Sequence, residues 1–181
     1  MSKKLLIKKS NRPNAGDGLF AKKIFSKGDY VVTYFGLLVP RQIIVNEYNT
    51  NKDNYLTKLH PYLREIDNNN QLLGRVDKDV NKCGVMVNDY SKIESKSIED
   101  IKRYVDSSTR NANVYIMDGN KYPIYKALNK IRKEKELYAH YGVSYWLLSM
   151  GLTSEEVLEI NKNIGGFRKL YNKNYDYYIT E

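Results

Sequence analysis

The stretch of this chain with the most chemical promise is Glu136-Leu137-Tyr138-Ala139-His140-Tyr141-Gly142, followed by Tyr145-Trp146. A buried tyrosine hydroxyl needs a polar partner, and the glycine after Tyr141 permits close approach by another segment or a ligand. A second candidate is Asn14-Ala15-Gly16-Asp17-Gly18-Leu19-Phe20. Its two glycines let the backbone turn tightly and meet a ligand with no Cβ in the way. It is not a dinucleotide fingerprint, because the third glycine and the following helix are absent. Tyr34-Phe35-Gly36 closes a strand candidate, and Asn88-Asp89 is followed after a polar insert by Asn111-Ala112. An asparagine amide both donates and accepts, so a buried one can tie loops together and bind a polar cofactor. Taken singly, the glycines also fit a β-turn, the asparagines fit turns, and the tyrosines fit aromatic core.

Composition narrows the chemistry. One cysteine, Cys83, excludes an internal disulfide and a cysteine-rich zinc cluster, and the two histidines, His60 and His140, argue against an all-histidine metal site. No metal is expected. A net charge of +9 over 181 residues favours nucleic acid, a nucleosome or an acidic surface as partner, and equally describes a solvated lysine-rich surface. No apolar run approaches the ~20 residues that span a bilayer, and Leu5-Leu6-Ile7 is too short for a signal-peptide core. An intracellular setting is expected, with no membrane partner.

The elements that must position these residues are short. Lys4 to Ile7, Leu19 to Phe25 and Tyr30 to Phe35 read as strands, the last two as a hairpin closed by Lys27-Gly28-Asp29. Pro40 to Tyr48 reads as a helix; Tyr55 to Leu59 and Gln71 to Val76 read as strands around the turn at Asp67 to Asn70. Ser97 caps a helix running to Val105, and Asp118-Gly119 joins the strands Ala112 to Met117 and Tyr122 to Ala127. Trp146 to Met150 is helical or bound in the core. Thr153 with Glu156 opens a capped helix whose stripe is Val157, Ile160 and Ile164, stopped by Gly165-Gly166. That stripe could pack onto its own domain or onto a second copy, so a homodimer is one outcome. The Tyr- and Asn-rich tail, Tyr171 to Glu181, reads as a docked or partly disordered extension.

Order gives these pieces a meaning that none has alone. Gly16-Asp17-Gly18-Leu19-Phe20-Ala21, Lys27-Gly28-Asp29 and Tyr34-Phe35-Gly36 resemble the opening of a SET domain. Asn88-Asp89 resembles its Asn-His-Ser segment, Asn111-Ala112 the Pro-Asn pair that follows, and Glu136-Leu137 with Tyr141-Gly142 its closing Glu-Leu-x-x-x-Tyr motif. Two departures stand out: Asp89 occupies the histidine place, and Tyr90 to Arg110 separates halves of a motif that is usually nearly continuous. Flanking zinc-binding cysteines are absent, as in minimal viral or microbial members.

The resemblance implies a mainly β (α+β) fold with short helices, the β-clip architecture in which a carboxy-terminal segment threads under a loop. It implies a SET domain at 1–147 carrying a helical insert at 90–110, and a carboxy-terminal helical extension at 148–181. It also implies a protein-lysine methyltransferase using S-adenosyl-L-methionine, with a protein substrate, a histone among the candidates, and a nuclear setting if that substrate is chromatin. Tyr141 is then the central catalytic residue with Tyr34 nearby. Gly16, Asp17, Gly18, Asn88, Asp89, Tyr141 and Trp146 bind cofactor. Ala139, smaller than the Tyr or Phe of the family, implies a roomy substrate channel unless Tyr115 or Tyr138 fills it. The alternative is a non-catalytic SET-like module whose basic surface binds chromatin or nucleic acid.

Overall fold

Burial on both faces makes β2 (Asp17–Ala21) the first core strand: Leu19, Phe20 and Ala21 are all buried. It runs antiparallel to β1 (Leu5–Lys9), with Leu5 opposite Ala21 and Ile7 opposite Leu19. The computed structural model describes residues 4–170. The expected hairpin between Leu19–Phe25 and Tyr30–Phe35 does not form. Gly28 turns the backbone at φ +84° and donates its N–H to Ala127 O, which steers β3 (Tyr30–Thr33) away from β2 and onto β9 (Ile124–Ala127). Phe25 contacts Ile131 through an isolated bridge.

A second sheet holds β4 (Gly36–Pro40), β5 (Leu63–Glu65) and β6 (Asn70–Gly74) in the order β4-β6-β5, leaving β5 at the edge. Between β4 and β5 run α1 (Arg41–Thr50) and a helical turn α2 (Lys52–Asn54). Tyr55–Leu59, read from sequence as a strand, is instead a wide helical turn that continues α2. Its aromatic residue packs locally, Tyr55 meeting Tyr48 at 5.2 Å and His60 at 5.7 Å, where a strand would have needed a partner strand. The Asp67 carboxylate accepts the N–H groups of Asn69 and Asn70, so the turn before β6 forms as expected.

The carboxy-terminal half supplies the remaining elements. After the short β7 (Asn88–Asp89), α3 (Ile98–Asn111) begins on Ser97, whose hydroxyl accepts the Asp100 N–H, and runs past the expected end at Val105. The hairpin of β8 (Val114–Met117) and β9 is as expected. β10 (Tyr138–Ala139) pairs with β7 in parallel, Tyr138 opposite Asn88 and Ala139 opposite Asp89. Then come α4 (Val143–Ser149) and α5 (Ser154–Asn163); α5 has a full capping box between Thr153 and Glu156.

One core lies under the small sheets, around Leu19, Phe25, Val31, Leu72 and Leu137. A second lies between α3, α4 and α5, around Ile101, Tyr104, Val143, Leu147 and Val157. Ile160 and Ile164 pack against it, so the stripe of α5 is covered by its own chain. The architecture is thus mixed, with small sheets and short helices. Among the described residues no helix is long and apolar enough to cross a membrane. The tail from Tyr171 onward lies outside them.

Candidate active site

Tyr141 follows β10, and Gly142 at φ +99° turns the chain from it into α4. The Tyr141 N–H donates to Asp89 Oδ2 at 3.0 Å, and its hydroxyl donates to Val87 O at 2.5 Å. The ring is boxed by Tyr145 edge-on at 4.8 Å and by Trp146 nearly parallel at 6.2 Å. Tyr34 is 7% exposed just beyond β3; its hydroxyl donates to Tyr62 O at 2.8 Å and its ring tilts against Tyr125 at 6.5 Å. Tyr34, Tyr125, Ala139, Tyr141 and Tyr145 line a cavity of about 380 Å³, with His60 stacked on Tyr145 at 5.0 Å. Desolvation pushes the phenols of Tyr141, Tyr34 and Tyr145 well above the ordinary tyrosine value and that of Tyr125 to about 12. These hydroxyls therefore stay protonated. They orient hydrogen-bonding groups and do not serve as bases.

Ala139 opens onto this cavity, and Tyr115 does not. Side chains alternate along β8, so Ile116, opposite Tyr125, lines the cavity while Tyr115, opposite Lys126, lies on the other face. Tyr115, expected beside the substrate channel, does not line this cavity. Nor does Tyr138 fill the space left by Ala139, because its hydroxyl donates to Glu136 Oε2 at 2.6 Å.

Asp89 is buried and accepts five donors. Tyr104 Oη at 2.6 Å, Tyr141 N at 3.0 Å and Trp146 Nε1 at 3.1 Å meet Oδ2; Ser108 Oγ and Ser91 N meet Oδ1. Burial raises its carboxyl above the usual range, and these hydrogen bonds oppose that rise. The Asp89 side chain is thus an internal brace that fixes Tyr141 and Trp146. Tyr104 and Ser108 come from α3, within the insert. Sequence reasoning missed both, although they lie four apart on one face of a well-capped helix.

Around the glycine loop the same pattern holds. Gly16 at φ +70° has open space where a Cβ would point, whereas a Cβ on Gly18 would lie 2.2 Å from Glu136 Oε1. Gly18 is small to admit Glu136. Asp17 is exposed, and its carbonyl accepts Asn88 Nδ2 at 3.1 Å; the same amide reaches Glu136 Oε1 at 3.3 Å. Glu136, 2% exposed, also accepts Ser10 Oγ at 2.6 Å and Asn11 N at 2.8 Å, so it ties the loop to β10. The asparagine that binds this region after the insert is Asn113, not Asn111. Asn113 Nδ2 donates to Glu136 O at 2.7 Å and its Oδ1 accepts Tyr138 N, while Asn111 bonds Ser107 O at the end of its own helix. The residues expected to bind cofactor form one connected run, from Gly16-Asp17-Gly18 through Asn88 and Asp89 to Trp146 and Tyr141.

The SET domain family model matches residues 16–142. No curated protein matches the chain. Among solved structures, the methyltransferase domain of human PR domain-containing protein 2 is similar over 78% of this chain and 79% of that one, at 16% identity and TM-score 0.50. A chain of ctPRC2, the Chaetomium thermophilum Polycomb Repressive Complex 2, in an autoinhibited conformation bound to S-adenosylmethionine is similar over 90% of this chain at 18% identity and TM-score 0.53. The same complex with H3K27me3 and H3K27M matches 78% of this chain at 18% identity and TM-score 0.52. The chain spans only 17% and 15% of the length of these two Polycomb chains. At such identities the likeness is one of fold.

Proposed function

The chain belongs to the SET-domain family, and from that premise we propose that it is an S-adenosylmethionine-dependent methyltransferase acting on protein lysine side chains. The observation that carries this reading is the phenol-lined cavity to which Tyr141, Tyr34, Tyr125 and Tyr145 contribute. The glycine loop fits a cofactor, since Gly16 turns at positive φ and faces open space that a side chain would otherwise fill. Gly16, Asp17, Asn88 and the Asp89 backbone would hold it, with Trp146 as a wall. S-adenosylmethionine, when bound, supplies a methyl group activated by a sulfonium.

The protein's own residues position and desolvate. A free lysine has a pKa of about 10.4 and is protonated at neutral pH. The cavity offers uncharged phenols, apolar Val85, Ile116, Ala139 and Leu148, and no base among those phenols, so entry disfavours the ammonium and assists loss of its proton to water. The Tyr141 hydroxyl donates its hydrogen bond to Val87 O, which leaves its oxygen able to accept an amine N–H and aim the nitrogen. Ala139 leaves room beside that nitrogen, so successive methyl transfers proceed.

The test is label transfer from methyl-labelled S-adenosylmethionine to proteins of a cell extract, with mass spectrometry of the product. Tyr141→Phe should lower transfer about 100-fold. Near-normal turnover in that variant would remove Tyr141 from the mechanism, and product halted at monomethyl-lysine would contradict the room at Ala139. Absence of S-adenosylmethionine binding by calorimetry would sink the enzyme reading in favour of a binding module.

A further inference from the structure

Among the described residues, the buried side-chain polar atoms without a hydrogen-bond partner are His60 Nδ1, Arg64 Nε, Gln71 Oε1 and Asn81 Oδ1. The first three belong to residues lining the same cavity as Tyr141. Arg64 lies on the edge strand β5, directly opposite Leu72, which is 1% exposed, so its side chain starts toward the core face of that sheet. Its neighbour Glu65 also lines the cavity but is held by Arg41 at 2.9 Å. Among the described residues no carboxylate comes within ion-pair distance of Arg64. Its charge nevertheless reaches the Tyr34 and Tyr125 hydroxyls, where it opposes the rise that burial imposes on both.

A partly buried guanidinium with no ion-pair partner among the described residues is costly, and its planar fork binds a carboxylate bidentately. We propose that Arg64, with the unpartnered His60 ring nitrogen lining the same cavity, receives an acidic side chain of the protein substrate, two residues from the target lysine. This assignment rests on the methyltransferase reading above and names its substrate class. In an extended peptide, side chains two residues apart share a face at a spacing of roughly 7 Å. Tyr141 and Arg64 both line the cavity of about 380 Å³, so a lysine entering beside Tyr141 would bring a same-face neighbour toward Arg64. The net charge of +9 acts in the same direction, drawing in acidic segments and repelling strongly basic ones.

The experiment uses amidated, lysine-centred peptides carrying Glu, Gln or Arg two positions before or after the lysine. Wild type, Arg64→Gln and Arg64→Glu are compared by kcat/KM and by calorimetric binding at low salt. Wild type should favour the Glu peptide over the Gln peptide about tenfold, mostly through KM. Arg64→Gln should bring that ratio near one, and Arg64→Glu should favour the Arg peptide. Equal use of the Glu and Gln peptides by wild type, or a preference that survives Arg64→Gln, overturns the assignment. Binding that favours Glu without turnover on any peptide defeats the methyltransferase reading and upholds this one. Turnover without preference does the reverse, and absence of both binding and turnover ends both.

Discussion

Replacing Asp89 by alanine removes the acceptor of five donors at once, two from α3, two from the Tyr141–Trp146 segment and one from Ser91. Hydrogen bonds to a charged group contribute ~1.5–3 kcal/mol each in isolation, but they share one carboxylate and are not additive. Leaving these buried donors without their acceptor costs about 1–3 kcal/mol per group and less than additively, large against a total stability of about 5–15 kcal/mol, so the variant should fold but be weakened. Asparagine behaves differently. Its oxygen belongs on the Oδ2 side, where the Tyr141 and Trp146 N–H groups cannot reverse. Its NH2 then faces Ser108, whose hydroxyl can rotate to accept, and Ser91 N–H, which is left without an acceptor. Asp89→Asn should therefore cost about 1–2 kcal/mol. Urea unfolding followed by far-ultraviolet circular dichroism measures both. Trp146 is the only tryptophan, so its fluorescence reports directly on the loss of the indole N–H contact in the alanine variant and its retention in the asparagine variant. Equal costs for the two substitutions, or a cost under about 1 kcal/mol for alanine, would refute the brace.

Two further outcomes follow from the packing. Gly18→Ala places a Cβ in steric conflict with the Glu136 carboxylate and should destabilise by about 1–3 kcal/mol in thermal melts. No destabilisation would mean that the loop moves freely away from Glu136. His60 is buried and its imidazole is lowered to about 4 by desolvation. Between that value and the unfolded value of about 6.5, the unfolded chain binds a proton that the folded chain does not. Stability should therefore fall as pH drops through this window, by roughly 1.4 kcal/mol per pH unit for this group, and His60→Phe should reduce the slope. An unchanged slope in denaturant titrations at pH 7, 5.5 and 4.5 would show that His60 is protonated in the fold.

How much was legible in the sequence depended on whether a residue's reason was local. The capping box at Thr153, the turn at Asp118-Gly119 and the helix opening at Ser97 are encoded within a few residues, and each formed where its signal lies. Tyr55–Leu59 was misread because an apolar five-residue run is equally consistent with a helical turn; the contacts of Tyr55 with Tyr48 and His60 decide it. The expected hairpin failed because strand partners are chosen by long-range burial, which put β1 and β9 where a local reading put the neighbouring strand. At the site, Tyr141, Asn88 and the glycine loop were legible from their order. Glu136 was visible as a motif residue but not as the hub that explains Gly18. Arg64 carried no signal at all, since its interest lies in a carboxylate that the described residues do not supply.

The two departures from the SET pattern, aspartate in the histidine place and the long insert, are one structural change. A carboxylate at position 89 with only the Tyr141 and Trp146 N–H groups for partners would be a buried anion with unused acceptor sites, which the interior penalises heavily. Helix α3 supplies what is missing: Tyr104 and Ser108, one turn apart, place two hydroxyls on the same carboxylate. Tyr104 also accepts the Gly142 N–H at 3.1 Å, so the insert grips the chain on both sides of Tyr141. Conversely, without a carboxylate at position 89 the buried Tyr104 and Ser108 hydroxyls would lose their strongest acceptor and keep the Gly142 backbone and His140 Nδ1. Each change is costly alone and stabilising with the other. Tyr104→Phe and Asp89→Asn should therefore show a coupling of about 1 kcal/mol or more in a double-mutant cycle, with Tyr141 displaced in neither when both are present. Additive costs would separate the insert from the aspartate and leave the substitution at position 89 without its compensation.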